Sequence, residues 1–267
     1  MDNNPLKQYF RRPAIYLKLP SGGKYYPTGT IDIPVNGEVP IFPMTAVDEI
    51  TTKTPDALFN GSAVVEIIKS CVPAIKEPWE IPLIDLDPIL VAIRTATNGN
   101  NMDITSKCPA CEEEASYGIN LGNLLGTLQK GKYDEPLLLQ DLTFKFKPLA
   151  YKQINRINQV QFEIQTVVLG LDNIEDADLR KQKSTETMKK LNELSVSLVS
   201  ETIENITTPN SIVSEKEFII DFLKNCEKQT FESLRNYAIK MRESSEIKPL
   251  KMKCIHCQHE YDQSLIL

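Results

Sequence analysis

The chain has 267 residues, 41% apolar and 25% charged, the composition of one large or two modest globular domains. Its formal net charge of -6 argues against a surface built throughout for phosphate backbones. No apolar run approaches the roughly 20 residues of a membrane-spanning helix, and Met1 to Arg12 lacks the apolar core of an export signal. The six cysteines are therefore expected in a reducing compartment.

Residues 1–44 read as a β-rich N-terminal part. From Ala14 to Leu19, Ile15, Leu17 and Leu19 alternate with Tyr16 and Lys18, the period of a strand. Ser21-Gly22-Gly23-Lys24 reads as a hairpin turn. Asn36-Gly37 tolerates positive φ and predicts a hairpin between Ile31–Val35 and a return strand through Val39, Ile41 and Phe42. Pro34, Pro40 and Pro43 confine these to edge strands.

Residues 45–148 form a mixed α/β region. Thr45-Ala46-Val47-Asp48 and Thr54-Pro55-Asp56 resemble capped helix starts, the second running to Asn60-Gly61. Ala63, Val64, Ile67, Ile68 and Cys71 make a helical apolar face that stops before Pro73. Asp87-Pro88 opens another helix, which Asn98-Gly99 ends, and these apolar positions are read as core. Leu124, Leu125 and Leu128 suggest a short helix. Leu142, Phe144 and Phe146 alternate with polar residues as in a half-buried strand.

Residues 149–243 read as a helical insertion. One stripe passes through Ile154, Ile157, Ile164 and Val168; a second runs from Met188 through Leu191, Leu194, Leu198, Val199 and Ile203 to Ile206. The polar segment Ala177 to Thr187 reads as a flexible arm. Ser214-Glu215-Lys216-Glu217 is a capping box, and Thr230 caps a last helix. Such stripes make an intramolecular bundle, or leave one face open to a partner helix.

The motif with chemical content comes twice. Lys107-Cys108-Pro109-Ala110-Cys111 is matched in the closing segment, 244–267, by Lys253-Cys254-Ile255-His256-Cys257. Their tails also correspond: without a gap, Glu114 falls on Glu260, Ile119 on Leu265 and Leu121 on Leu267. A C-x-x-C turn lets two thiolates reach one ion, and two such turns complete a tetrahedral four-sulfur site. Cys108, Cys111, Cys254 and Cys257 are thus the expected ligands of one structural zinc ion, the two turns being halves of a split zinc ribbon. More than half of the chain lies between the pairs, so the site would clip a long insertion at its base. Lys107 and Lys253 would partly offset the thiolate charge. His256 and His259, the only histidines, read as solvent-facing neighbours, though either could replace a cysteine as ligand. Cys71 and Cys226 read as buried thiols.

Other readings of the two pairs are thioredoxin-like dithiols, which want a strand-to-helix junction, and local disulfides of a secreted protein. No phosphate loop, Gly-x-Ser-x-Gly or His-Glu-x-x-His is found, so a non-enzymatic protein is expected. Two alternatives stay open: a zinc-ribbon nucleic-acid-binding accessory protein, opposed by Glu112, Glu113 and Glu114 beside the first knuckle, and an enzyme with Cys254 or Cys257 as nucleophile.

Several short runs carry a resemblance. They are Leu19-Pro20-Ser21-Gly22-Gly23-Lys24-Tyr25-Tyr26-Pro27, Pro43-Met44-Thr45-Ala46-Val47-Asp48-Glu49, Thr54 to Gly61, Ile67 to Pro73, Pro78-Trp79 and the first knuckle. Together they resemble the baseplate hub protein family of T-even-like contractile-tailed bacteriophages, over roughly residues 13–125 and, less distinctly, the second knuckle. The resemblance implies a structural or assembly-chaperone role in building the baseplate hub. It implies synthesis in the host bacterial cytoplasm, a place in the virion tail baseplate, and other hub subunits or the tape-measure protein as partners. From charge and apolar run length, neither a nucleic-acid partner nor a membrane span is expected. Leu58, Phe59, Asn60 and Gly61 read as a partner-binding loop, or as a capped turn with a glycine. The expectation is an α+β protein: β-hairpins and helices on a split four-cysteine ribbon, with a long helical insertion.

Overall fold

The computed structural model describes residues 4–51, 60–127, 133–171 and 176–265. They belong to two compact units: Met1–Lys130 with Ser245–Leu267, and Gly131–Ser244.

In the first unit β1 (Ile15–Lys18) pairs antiparallel with β2 (Glu38–Ile41), Ile15 opposite Ile41 and Lys18 opposite Glu38. Asn36-Gly37 does turn the chain, with the Gly37 N–H on the Pro34 carbonyl at 2.8 Å. The predicted partner strand Ile31–Val35 does not form. Ile31 bridges Ile75 and the Asp32 N–H donates to the Ala74 carbonyl, while Pro34 has no N–H to give a ladder. The return strand takes β1 as its partner instead.

Three helices follow among the described residues of this stretch: α1 (Ala46–Thr51), α2 (Ser62–Cys71) and α3 (Leu83–Asn98). α3 starts before the expected Asp87-Pro88 and accommodates Pro88 within it. It is the core helix: Ile84, Leu86, Ile89, Val91, Ala92 and Ile93 are all buried, on more than one face, as a helix covered by other elements requires. Its first turn presents Asp85, fully buried, to the Ser21 turn; the Ser21 N–H and hydroxyl donate to its two oxygens at 2.8 and 2.5 Å. Burial raises the Asp85 pKa against those hydrogen bonds. Gly22 and Gly23, at φ 62° and 84°, supply the left-handed backbone the turn needs. Arg11 ties the N-terminal tail down, donating to the carbonyls of Pro43 and Ser70 and facing Asp48 at 3.4 Å.

α3 ends at Gly99 and leads into β3 (Asn101–Lys107), β4 (Glu114–Asn120) and α4 (Leu121–Thr127). β9 (Leu250–Lys253) and β10 (Glu260–Gln263) form a second hairpin. Val91, Leu121 and Leu124 make a buried cluster, with Met102, Leu125, Ile247, Leu250 and Leu265 packed on it. Both hairpins are therefore rooted against α3 by apolar contact, each fully buried aliphatic side chain contributing about 1.5–3 kcal/mol.

The second unit opens at Gly131, ahead of the residue-149 boundary, because its sheet takes in the strands before the helices. β5 (Leu137–Leu139), β6 (Leu142–Phe146), β7 (Ile203–Thr207) and β8 (Ile212–Val213) form an antiparallel sheet in that order. Ile203 and Ile206, expected on a helical stripe, belong to β7, where Ile206 faces Phe144 and Ile203 faces Phe146 across a bulge. Apolar spacing over so short a run suits either element, and the pairing with β6 decides it. Phe222 and Tyr237 pack at a tilt against Phe144 and Phe146, with ring centroids 5.9 and 4.9 Å apart. They come from α7 (Lys216–Asn225) and α8 (Lys228–Glu243). Glu215 and Glu227 take the N-cap positions, in place of the expected capping box and Thr230 cap.

α5 (Tyr151–Gly170) and α6 (Ala177–Thr202) run antiparallel, with Gln153 near the start of one bonded to Glu201 near the end of the other. The segment expected as a flexible arm, Ala177 to Thr187, is the first part of α6, capped by Asp176 Oδ1 at 2.9 and 3.1 Å from the N–H groups of Asp178 and Leu179. Ile157 and Ile164 are buried, but Phe162, Leu169 and Met188 are open to solvent. Cys71 is buried as expected; Cys226, at the end of α7, is only half-buried. Among the described residues no helix is long and apolar enough to cross a membrane.

Candidate metal centre

Each C-x-x-C sits at the tip of a hairpin, and the two tips are built alike. Lys107 pairs with Glu114 at the end of β3–β4, and Lys253 with Glu260 at the end of β9–β10. The Cys108 N–H donates to the Glu113 carbonyl at 3.0 Å, and the Cys254 N–H to the His259 carbonyl at 2.9 Å. The Cys108 and Cys254 carbonyls accept the N–H of Glu112 and Gln258 at 2.9 and 3.0 Å. The N–H groups of Ala110 and His256 both point at the first sulfur of their pair, at 3.4 Å. These donors favour the thiolate form of that sulfur.

The hairpins bring all four sulfurs within 4.8 Å of one another. Cys108 Sγ lies 3.7 Å from Cys257 Sγ, and Cys111 Sγ 3.6 Å from Cys254 Sγ. Such separations are far beyond a disulfide bond of about 2.05 Å. They match the roughly 3.8 Å between ligands each about 2.3 Å from one tetrahedral ion. The close sulfurs come from different hairpins, so an ion held here would cross-link the two tips. Neither histidine belongs to the cluster; both are exposed.

Cys108 and Cys254 are buried, Cys111 is half-buried and Cys257 is exposed. The Cys257 N–H, followed by that of His256 and the nearby sulfurs, pulls Cys254 down to about 6 against desolvation. Although the Glu113 N–H favours its thiolate, desolvation and the sulfurs of Cys257, Cys254 and Cys108 push Cys111 up to about 12. Four thiolates cannot crowd together without a cation, and the protons left on them are what a metal would displace. Lys107 lies 3.5 Å from Glu112, so its charge is shared with that carboxylate.

Of the expected partner loop, Leu58 and Phe59 lie outside the described residues, as does the helix start at Thr54-Pro55-Asp56. Gly61 is the N-cap of α2 at φ 78°, and the Asn60 side chain accepts the Ser62 N–H at 2.9 Å. Sequence reasoning missed the lateral lock between the hairpins. Ser106 Oγ donates to Gln263 Oε1 at 2.6 Å and accepts from the Tyr261 hydroxyl at 3.0 Å. The tail match after each knuckle was the available signal, since it put Tyr261 and Gln263 on a strand answering β4.

Helices and antiparallel sheets on separate stretches, with four cysteines gathered from two distant hairpins, define a mixed α+β protein with a site able to hold a metal ion. The sequence profile of the T4 bacteriophage base plate protein family matches residues 13–266, and the chain belongs to that family. A phage baseplate role, with other phage proteins as neighbours, follows at that level. Among curated proteins and solved structures none matches.

Proposed function

We propose that this chain is a non-enzymatic protein of baseplate hub assembly, a structural hub subunit or an assembly chaperone that binds other hub or tape-measure proteins. The observation that carries the reading is the family match across residues 13–266; the short runs that resemble hub proteins point it toward the hub. The exposed apolar side chains of the α5–α6 pair fit a protein that finishes its packing against neighbours. The exposed run Glu112 to Glu114 disfavours a nucleic-acid partner.

In this reading Cys108, Cys111, Cys254 and Cys257 bind one zinc ion that closes a split ribbon. The all-sulfur donor set suits a soft or borderline ion, and four protein ligands leave no position for a catalytic water. The ion's work is to hold two hairpin tips together across a long insertion. Elemental analysis of the purified protein is expected to give one zinc per chain; iron in its place would overturn the zinc assignment.

The role is tested on particles. Mature virions would be purified and this protein quantified by mass spectrometry against a known hub subunit, with infected-cell lysate alongside. A fixed small copy number identifies a structural subunit, and abundance in lysate without incorporation identifies a chaperone. Absence of association with any tail protein in either sample would sink the proposal.

A further inference from the structure

The two hairpins face each other along two seams. Laying one C-x-x-C turn on the other pairs Ser106 with Met252, Gln263 with Tyr117, and Tyr261 with Ala115. The β3–β10 seam is closed by the Ser106–Gln263–Tyr261 hydrogen bonds. The β4–β9 seam has Met252, Tyr117 and Ala115 at those positions and stands open as a groove of about 630 Å³.

Residues 117–120 of β4 and 250–253 of β9 all line this groove, together with Leu124 and with Ile255 of the second knuckle. Successive side chains of a strand point to opposite faces, so a groove touching both parities runs along the strand edges. Each hairpin is a two-stranded sheet, which leaves the outer edge of β4 and of β9 without a strand partner among the described residues. An extended segment entering here could bond to either edge.

Charge and burial specify its side chains. Lys251 and Lys253 are exposed on one face of β9, and Leu250 and Met252 lie on the inner face. No carboxylate lines the groove, and neither lysine is in an ion pair among the described residues, Asp262 and Glu260 across the hairpin included. On the β4 wall Ile119 and Tyr117 share the half-buried face. A strand between them would set acidic residues beside the lysines and apolar residues inward, since cross-strand neighbours on one face interact.

We propose that the β4–β9 seam is a docking groove for an extended segment of another protein, one in which acidic and apolar residues alternate. It rests on the assembly role above for its biological partner, and on the groove alone for its chemistry.

The test uses the full-length, metal-loaded protein and a fluorescent synthetic peptide of alternating glutamate and valine, with a lysine–valine peptide and a single-stranded RNA as comparators. The glutamate peptide is expected to bind at low salt and to slow amide exchange in β4 and β9. The double variant K251E/K253E should weaken that binding by about tenfold or more. K251E alone, further from the cysteines, should weaken it in the same direction with metal content unchanged. Equal binding of the lysine peptide, an unchanged affinity in both variants, or tighter binding of the RNA would overturn the proposal. Capture of a baseplate protein that K251E/K253E leaves intact would end the groove's claim while the assembly role stood. Failure of the wild type to capture any tail protein, with the peptide results intact, would end the role and not the groove.

Discussion

Glu112 and Gln258 stand at the same place in their two knuckles, each just after the second cysteine, and both hold left-handed backbone, at φ 61° and 63°. Neither has glycine's freedom, so each turn carries strain on the order of 1 kcal/mol. The matched strain, with the matched hydrogen bonds, identifies the knuckles as two copies of one local structure built to present a pair of sulfurs.

Gln258→Gly should therefore stabilise the protein by about 0.5 kcal/mol or less, the relief of strain being largely offset by the greater freedom of glycine in the unfolded chain. Chemical denaturation of the metal-loaded variant checks this. Glu112 is less clean a test, because its carboxylate also faces Lys107.

Removal of the metal, or Cys254→Ser, should lower the denaturation midpoint of the unit holding the hairpins by about 10 °C or more. Uptake should also release protons: Cys254, near 6, is ionised at neutral pH, whereas Cys111, near 12, is not. Apparent metal affinity must then fall as pH falls, by about tenfold or more per pH unit where more than one proton is displaced. Competition with a chromophoric chelator across neutral pH measures it.

Asp48 accepts from the Thr45 N–H at 2.7 Å, the Thr45 hydroxyl at 2.9 Å and the Ser70 hydroxyl at 3.0 Å, with Arg11 opposite. Burial opposes its charge, but these donors and the guanidinium prevail and hold its pKa below the ordinary value. Ionised Asp48 thus stabilises the fold above the unfolded pKa of about 3.9, and that contribution is lost as pH falls through the folded value. Asp48→Asn should cost about 2 kcal/mol at neutral pH and flatten the acid limb of the stability curve, as followed by denaturation at stepped pH.

Phe146 is fully buried between β7 and the Tyr237 ring. Phe146→Ala should cost about 3–5 kcal/mol in the second unit, read by urea titration, and leave the metal stoichiometry unchanged.

The cysteine site was legible because its signal is local and repeated. C-x-x-C dictates two sulfurs at one turn, and the echo of Glu114 in Glu260 told which two turns belong together. The helices with strong apolar faces, at Ser62–Cys71 and Lys216–Asn225, were legible for the same reason. The polar start of α6 was not: its stability comes from the Asp176 cap and from α5 alongside, which no apolar period records. β7 was hidden in a helical stripe, because only the β6 and β8 backbones beside it make a strand of Ile203–Thr207.

The amino-acid sequence by itself determined the chemistry: which side chains could bind metal, the absence of familiar catalytic motifs, and the short runs that carry the resemblance. Those properties reside in residue type and near-neighbour spacing, which folding does not alter. Tertiary structure alone decided which edge pairs with which. It gave β2 to β1 in place of Ile31–Val35, closed one seam between the hairpins with Ser106 and Gln263, and left the other open beside Lys251 and Lys253. Backbone hydrogen bonds are the same for every residue but proline, so pairing is chosen by what each strand can bury, and that is known only once the whole chain has packed.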